Sequence, residues 1–307
     1  MIRRSYTYIL FALGVALLAG GLLKVVPGGA TVGGALAFLG LVTFGLSFVP
    51  RREPRPEDPE PMTEGARLAG IFFEPSEVFR NLRAHPRWLV PVLLMALLGF
   101  AYSAAFSYRL TPERIAAFTN DKLVERGWVP AEQAERIKEQ QVAEARSPAR
   151  FVTGPITSFV ASFVMMAVVA GLFLLAVLML GGRIDFWQAL SVAAYAALPV
   201  AVISRVLSLV ILFLKEPESI HPMLGQAGLV TDNLGALVSA AENPALYSLL
   251  SAFGVLSFYY VWLNATGLRH GGERVSSTAA WTAAVSLWVI GLILAVVSSL
   301  LFGSFIS

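Results

Sequence analysis

The side chains that ordinarily carry catalysis are scarce in this chain of 307 residues. Its three histidines, His85, His221 and His270, stand in or beside polar loops. None has the HExxH or HxxE spacing that places two ligands on one helix face. No GxSxG elbow occurs, and no glycine-rich loop ends in Gly-Lys-Ser/Thr. Cysteine is absent, which removes thiol nucleophiles, disulfide scaffolds, iron–sulfur clusters and Cys-type zinc sites together. The expectation is a protein that is not an enzyme, with no catalytic residues, no cofactor and no metal. What remains is the charge chemistry of arginine.

Arg205 is the one ionisable residue inside an apolar run, with nine residues (Val206 to Leu214) between it and Lys215. That is about 13–15 Å of helix, more than a guanidinium spans comfortably by snorkelling. Ala189, Ala193, Ala197 and Ala201 precede it at i,i+4 steps, so Arg205 continues a small-residue face suited to close helix contact. Pro199 removes a hydrogen bond to the Tyr195 carbonyl and is expected to bend the helix. Three readings of Arg205 stay open: snorkelling along a tilted helix, bonding to carbonyls or Ser204 or a neighbouring span, and contact with a lipid phosphate or another anion.

A second basic group lies in Pro75–Arg83, which reads as a short helix with Val78, Phe79 and Leu82 on its apolar side. Arg80 and Arg83, with Arg87 just beyond, suit contact with anionic lipid headgroups; an ordinary juxtamembrane helix is the other reading. Arg183 and Asp185, in the tight turn Gly181–Phe186, either pair or are solvated. The acids are informative by placement. None of the twenty Asp and Glu residues lies inside an apolar run, which argues against a proton- or sodium-coupled transporter, since those usually hold an intramembrane carboxylate.

The elements that must position these residues are membrane helices. The chain is 56% hydrophobic and 14% charged, with mean hydropathy +0.69, against about 25% charged in soluble chains. Its net charge of +3 is small and its basic residues do not form runs, so nucleic acid is not a partner. Seven apolar runs, about 6–23, 30–49, 88–108, 151–180, 187–214, 245–264 and 279–303, are long enough to cross roughly 30 Å of hydrocarbon as helices. The fold class is therefore all-α, a polytopic membrane bundle of about seven transmembrane helices. Residues 1–49 form a two-helix N-terminal hairpin, in which Gly29-x-x-x-Gly33 fits close packing. Arg3-Arg4 before an apolar run resembles a secretory leader, but Ala16–Gly20 is a poor cleavage site, so a retained hairpin is expected. Residues 50–66, with five prolines and eight charges, read as an extended solvated linker and the domain boundary. Residues 67–307 form a five-span body with a polar helical insert at about 109–150, either packing on the bundle or docking a partner.

Lysine and arginine placement suggests the orientation. With the N-terminus in the cytoplasm, twelve arginines fall on that side: Arg3, Arg4, Arg51, Arg52, Arg55, Arg67, Arg80, Arg83, Arg87, Arg183, Arg269 and Arg274. Outside the insert, whose eight bases are nearly matched by seven acids, the opposite side holds only Lys24 and Lys215. N-inside, C-outside is the expectation.

Several stretches carry a resemblance. Ile71-Phe72-Phe73-Glu74-Pro75-Ser76-Glu77-Val78-Phe79, then Pro86-Arg87-Trp88 and a span, resembles the opening of the Yip family of membrane proteins, named for interaction with Ypt/Rab GTPases, in its bacterial form. So do Gly181-Gly182 with Phe186, Ala189-Leu190-Ser191-Val192 and Ala194-Tyr195-Ala196-Ala197-Leu198-Pro199, and later Phe258-Tyr259-Tyr260-Val261-Trp262-Leu263 before Thr266-Gly267-Leu268. The resemblance covers about 67–307 and implies a five-span domain with a cytoplasmic N-terminal side, in a bacterial inner or plasma membrane. Eukaryotic members are associated with vesicle traffic; no catalytic residues carry over. The acid often seen near the start of the fourth domain span is absent, with Leu256-Ser257-Phe258 there instead, and the hairpin lies outside the domain. The resemblance favours a scaffold or membrane-organising protein whose partners are the lipid bilayer, anionic lipids or another membrane protein. The alternative is a small transporter or conduit using Arg205 and the Pro199 bend.

Overall fold

The computed structural model describes residues 4–26, 28–50, 55–56 and 58–303. Arg3, Arg51 and Arg52 of the charge argument lie outside them. α1 (Arg4–Leu22) and α2 (Gly29–Leu46) pack along their whole length as an antiparallel hairpin. The backbones touch: a Cβ on Gly33 would fall on the backbone of Leu18, and one on Gly14 on that of Ala37. Glycine is what permits that approach.

α3 (Glu64–Phe73) and α4 (Pro75–Ala84) follow the linker. Thr63 caps α3 by accepting from the Ala66 N–H at 3.2 Å, and Pro75 opens α4 at its first turn, where a missing N–H costs nothing. Next come α5 (Leu89–Leu110), the insert helices α6 (Pro112–Glu125) and α7 (Ala131–Arg146), then α8 (Arg150–Met179) and α9 (Phe186–Leu214). The short α10 (Leu224–Ala227) and α11 (Pro244–Ser251) precede α12 (Val255–Gly271) and α13 (Ser277–Phe302). The described residues hold helices and two isolated bridges but no strand.

Five helices, α2, α5, α8, α9 and α13, are long and apolar enough to cross a membrane. The described apolar part of α1, Thr7–Leu22, and the 17-residue α12 are shorter. α9 is the axis, packed by α5, α8 and α12. Its first half is buried on every side: Ala189, Leu190, Val192, Ala193, Ala194, Tyr195 and Ala196 are fully inaccessible, and Pro199 is buried inside the unbroken helix. The outward faces of α8 and α13 expose Leu, Ile and Val throughout, the belt that hydrocarbon covers. The hairpin joins the body through α2 on α8, and the Trp187 indole donates to the Val49 carbonyl at 3.4 Å.

Two expectations from the sequence change. The sixth run, 245–264, is not one helix: α11 stops at Ser251 and α12 starts at Val255 and runs on to Gly271. The loop before α11 inserts at the break. Asn233 bridges to Gly254, and Asp232 Oδ2 accepts the Leu256 N–H at 2.7 Å. A carboxylate at a helix N-terminus is favourable, so Asp232 caps α12 from the preceding loop. The linker, read as solvated through residue 66, is fastened from Pro59 onward. Asn81 accepts from the Met62 N–H at 3.2 Å and donates to the Glu60 carbonyl at 2.8 Å, and His85 Nε2 meets the Pro59 carbonyl at 2.7 Å.

These contacts give the bundle two ends. At the linker end, Arg183 and Glu273 exchange backbone hydrogen bonds between the α8–α9 and α12–α13 turns. At the insert end, Arg114 of α6 donates to the Pro217 carbonyl at 2.7 Å, and Arg109 to that of Lys215 at 3.1 Å.

Candidate functional site

The linker end gathers basic residues from distant parts of the chain. Asp185 and Gln188 form a reciprocal capping box at the start of α9, which fixes the Gln188 side chain. Gln188 Nε2 then donates to the Arg83 carbonyl at 2.8 Å, tying the end of α4 to α9. On its other flank α4 crosses α12 closely. Gly267 and Gly271 face both α9 and α4: a Cβ on Gly267 would stand 2.6 Å from Val192 Cγ1 of α9 and 3.1 Å from the Phe79 ring of α4. Val78, Phe79 and Leu82 are at most 1% exposed, so the apolar side of α4 packs on protein rather than in lipid.

That packing sets Arg80 and Arg83 of α4 beside Arg269 and His270 in the last turn of α12, and all three guanidinium groups act electrostatically on the His270 ring. Arg80 and Arg269 are exposed; Arg80 Nε donates to the Ser76 carbonyl of its own helix, 3.3 Å away. Arg87 is exposed in the link between α4 and α5 at the same end. Like charges brought together at a surface repel one another. Phe73, at the end of α3, is 84% exposed nearby in sequence, an apolar anchor of the kind interfacial helices use.

Beneath this surface lies a group that the sequence did not single out. Arg67, counted there only for topology, is 1% exposed. It pairs with Glu64 at 2.9 Å and donates Nε to Asn81 at 3.3 Å, while the Tyr195 hydroxyl donates to Glu64 at 3.4 Å. This network locks α3 and α4 onto α9. Its only sequence signal is the i,i+3 spacing of Glu64 and Arg67. Arg269 and His270 were likewise missed as site residues; Gly267-x-x-x-Gly271 is the trace they leave.

Arg205 is not part of this cluster. From Gln188 to Arg205 the helix rises about 25 Å, to the insert end. There Arg205 Nη1 donates to the Ala227 carbonyl at 3.0 Å and its guanidinium lies 5.0 Å from the centre of the Tyr102 ring. The Tyr102 hydroxyl donates to the Gly225 carbonyl, and Ser208 Oγ accepts from the Leu229 N–H at 2.9 Å. Arg205 thus helps pin the 225–229 segment across α5 and α9. No cluster of three or more metal-ligating side chains occurs among the described residues.

Residues 69–298 match the family model described as the Yip1 domain. The match runs from within α3 to within α13, leaving the hairpin outside. Comparison with curated proteins and with solved structures returned no match.

Proposed function

Because the chain belongs to the Yip1 domain family, a membrane protein built of apolar helices, we propose that it is a non-enzymatic, membrane-organising scaffold whose linker end holds anionic phospholipid headgroups. The observation that carries this reading is the convergence of Arg80, Arg83, Arg269 and His270 at one end of the bundle. Arginine offers paired donors to phosphate oxygens and remains charged at any physiological pH. The linker end, which holds most of the arginines outside the insert, faces the cytoplasm of a bacterial inner membrane, and Arg87 and Phe73 extend the contact along the surface. The scaffold works through these lipids and through protein contacts made within the same membrane. The conduit reading would use Arg205, which stands at the other end of the bundle, where its guanidinium donates to the Ala227 carbonyl and lies against the Tyr102 ring.

Native mass spectrometry of the protein extracted in its own lipids tests this. Retained anionic phospholipid is expected on the unaltered protein and on Arg205→Leu. The combined Arg80→Gln, Arg83→Gln and Arg269→Gln variant should lose most of it. Equal retention by that variant would overturn the reading.

A further inference from the structure

The insert end holds another arginine whose bonding is one-sided. Arg150, at the start of α8, donates to the Ala145 carbonyl at 3.3 Å, the Ser103 carbonyl at 3.2 Å and Ser107 Oγ at 2.9 Å. All three acceptors are neutral, so these bonds orient the guanidinium without balancing its charge. Two cavities flank it. One, of about 630 Å³, lies between the hairpin turn and the body and is lined by Arg150, Glu144, Thr31, Thr153 and Thr157. The other, of about 360 Å³, shares Arg150 and reaches Tyr108 and Phe151, which are 82% and 73% exposed. The first volume is within the range of small-molecule sites, roughly 300–1,000 Å³.

The depth of the cleft matters. From Arg150 to Thr157 α8 rises about 10 Å, so the cleft descends from the polar insert into the apolar thickness of the bundle. Gly28, left-handed at φ 72°, seats the hairpin turn against Thr153: a Cβ there would stand 2.8 Å from Thr153 Cγ2. The cleft is therefore charged at its mouth, hydroxyl-lined below, and flanked by exposed aromatics, the polarity profile of a phospholipid from headgroup to glycerol to acyl chain.

We propose that this cleft seats a zwitterionic phospholipid of the phosphoethanolamine class. Its phosphate lies against Arg150, its ammonium donates to the Glu144 carboxylate, and its glycerol esters lie beside Thr31 and Thr153. Arg150 alone would take any phosphate. Glu144 in the same cleft repels a headgroup of net negative charge and accepts charge-assisted hydrogen bonds from an ammonium. The inference does not rest on the anionic site, which lies at the other end of the bundle.

The test reconstitutes the full chain in nanodiscs of equal phosphatidylethanolamine and phosphatidylglycerol and counts retained lipids by native mass spectrometry. Glu144→Gln and Thr31→Trp should each reduce retained phosphatidylethanolamine several-fold without reducing phosphatidylglycerol. Thr31→Trp fills the cleft from the hairpin and touches none of the bonds that hold Arg150. Unchanged phosphatidylethanolamine in either variant, or a parallel fall of both lipids, would overturn the proposal. Loss of the anionic site instead lowers phosphatidylglycerol alone, so the two failures are distinguishable.

Discussion

An arginine at membrane depth needs acceptors, and Arg205 finds them within its own chain. Of the readings left open by the sequence, bonding to a carbonyl is the arrangement present; the acceptor, Ala227, lies in a loop whose path no local pattern announces. Arg205→Leu should cost about 2 kcal/mol, a charge-assisted hydrogen bond and a cation–π contact together, read as a lower thermal midpoint in detergent with faster amide exchange at 225–229. The same loop carries a pH dependence through His221. Its Nδ1 accepts the N–H groups of Met223 and Leu224, both at 3.2 Å, so the ring is neutral with its proton on Nε2. Burial, and then the charge of Lys122, hold its pKa below the ordinary value of 6.5. A group depressed in the folded state is more readily protonated when the segment opens, so stability is complete above about pH 6.5 and declines as pH falls through the lowered value. Exchange at 222–227 should quicken on acidification, and His221→Asn should flatten that response.

Helices are where sequence and structure agree most. α5, α8, α9 and α13 lie close to the runs that composition marks out, because lipid leaves an apolar run little choice but helix. The sixth run misleads for a physical reason: an apolar stretch does not show that Asp232, thirteen residues before the run, will cap a helix starting inside it. α4 misleads differently. Its alternation of apolar and basic residues suits a lipid surface as well as a protein groove, and only Gly267 and Gly271 on α12 decide for the groove. Gly267→Leu should overpack that crossing at a cost of about 1–3 kcal/mol, seen as reduced stability together with weaker anionic lipid retention, since Arg80 and Arg83 move away from Arg269. In the hairpin, Gly33→Leu meets backbone rather than a side chain, so α1 should separate from α2. Faster exchange confined to α1 and α2 would register it.

The whole molecule is a bundle with differently charged ends. The resemblance visible in scattered apolar stretches is borne out by the family match over residues 69–298, and the all-α membrane architecture by the helices themselves. Half of the candidate site was legible: Arg80, Arg83 and Arg87 stand out by charge beside a span, whereas Arg269 and His270 join them only through tertiary packing nearly 190 residues further along the chain. The buried pair Glu64–Arg67 makes the same point, since a charged residue offers no sign in sequence that it will be enclosed. The central claim is contact between these guanidinium groups and lipid phosphate. Solid-state NMR of ¹⁵N-arginine protein in phosphatidylglycerol bilayers measures it directly, as dephasing of guanidinium nitrogen by lipid ³¹P. Dephasing that falls when Arg80, Arg83 and Arg269 are replaced by Gln is the expected result; dephasing that is absent, or unchanged by the replacement, would contradict the account.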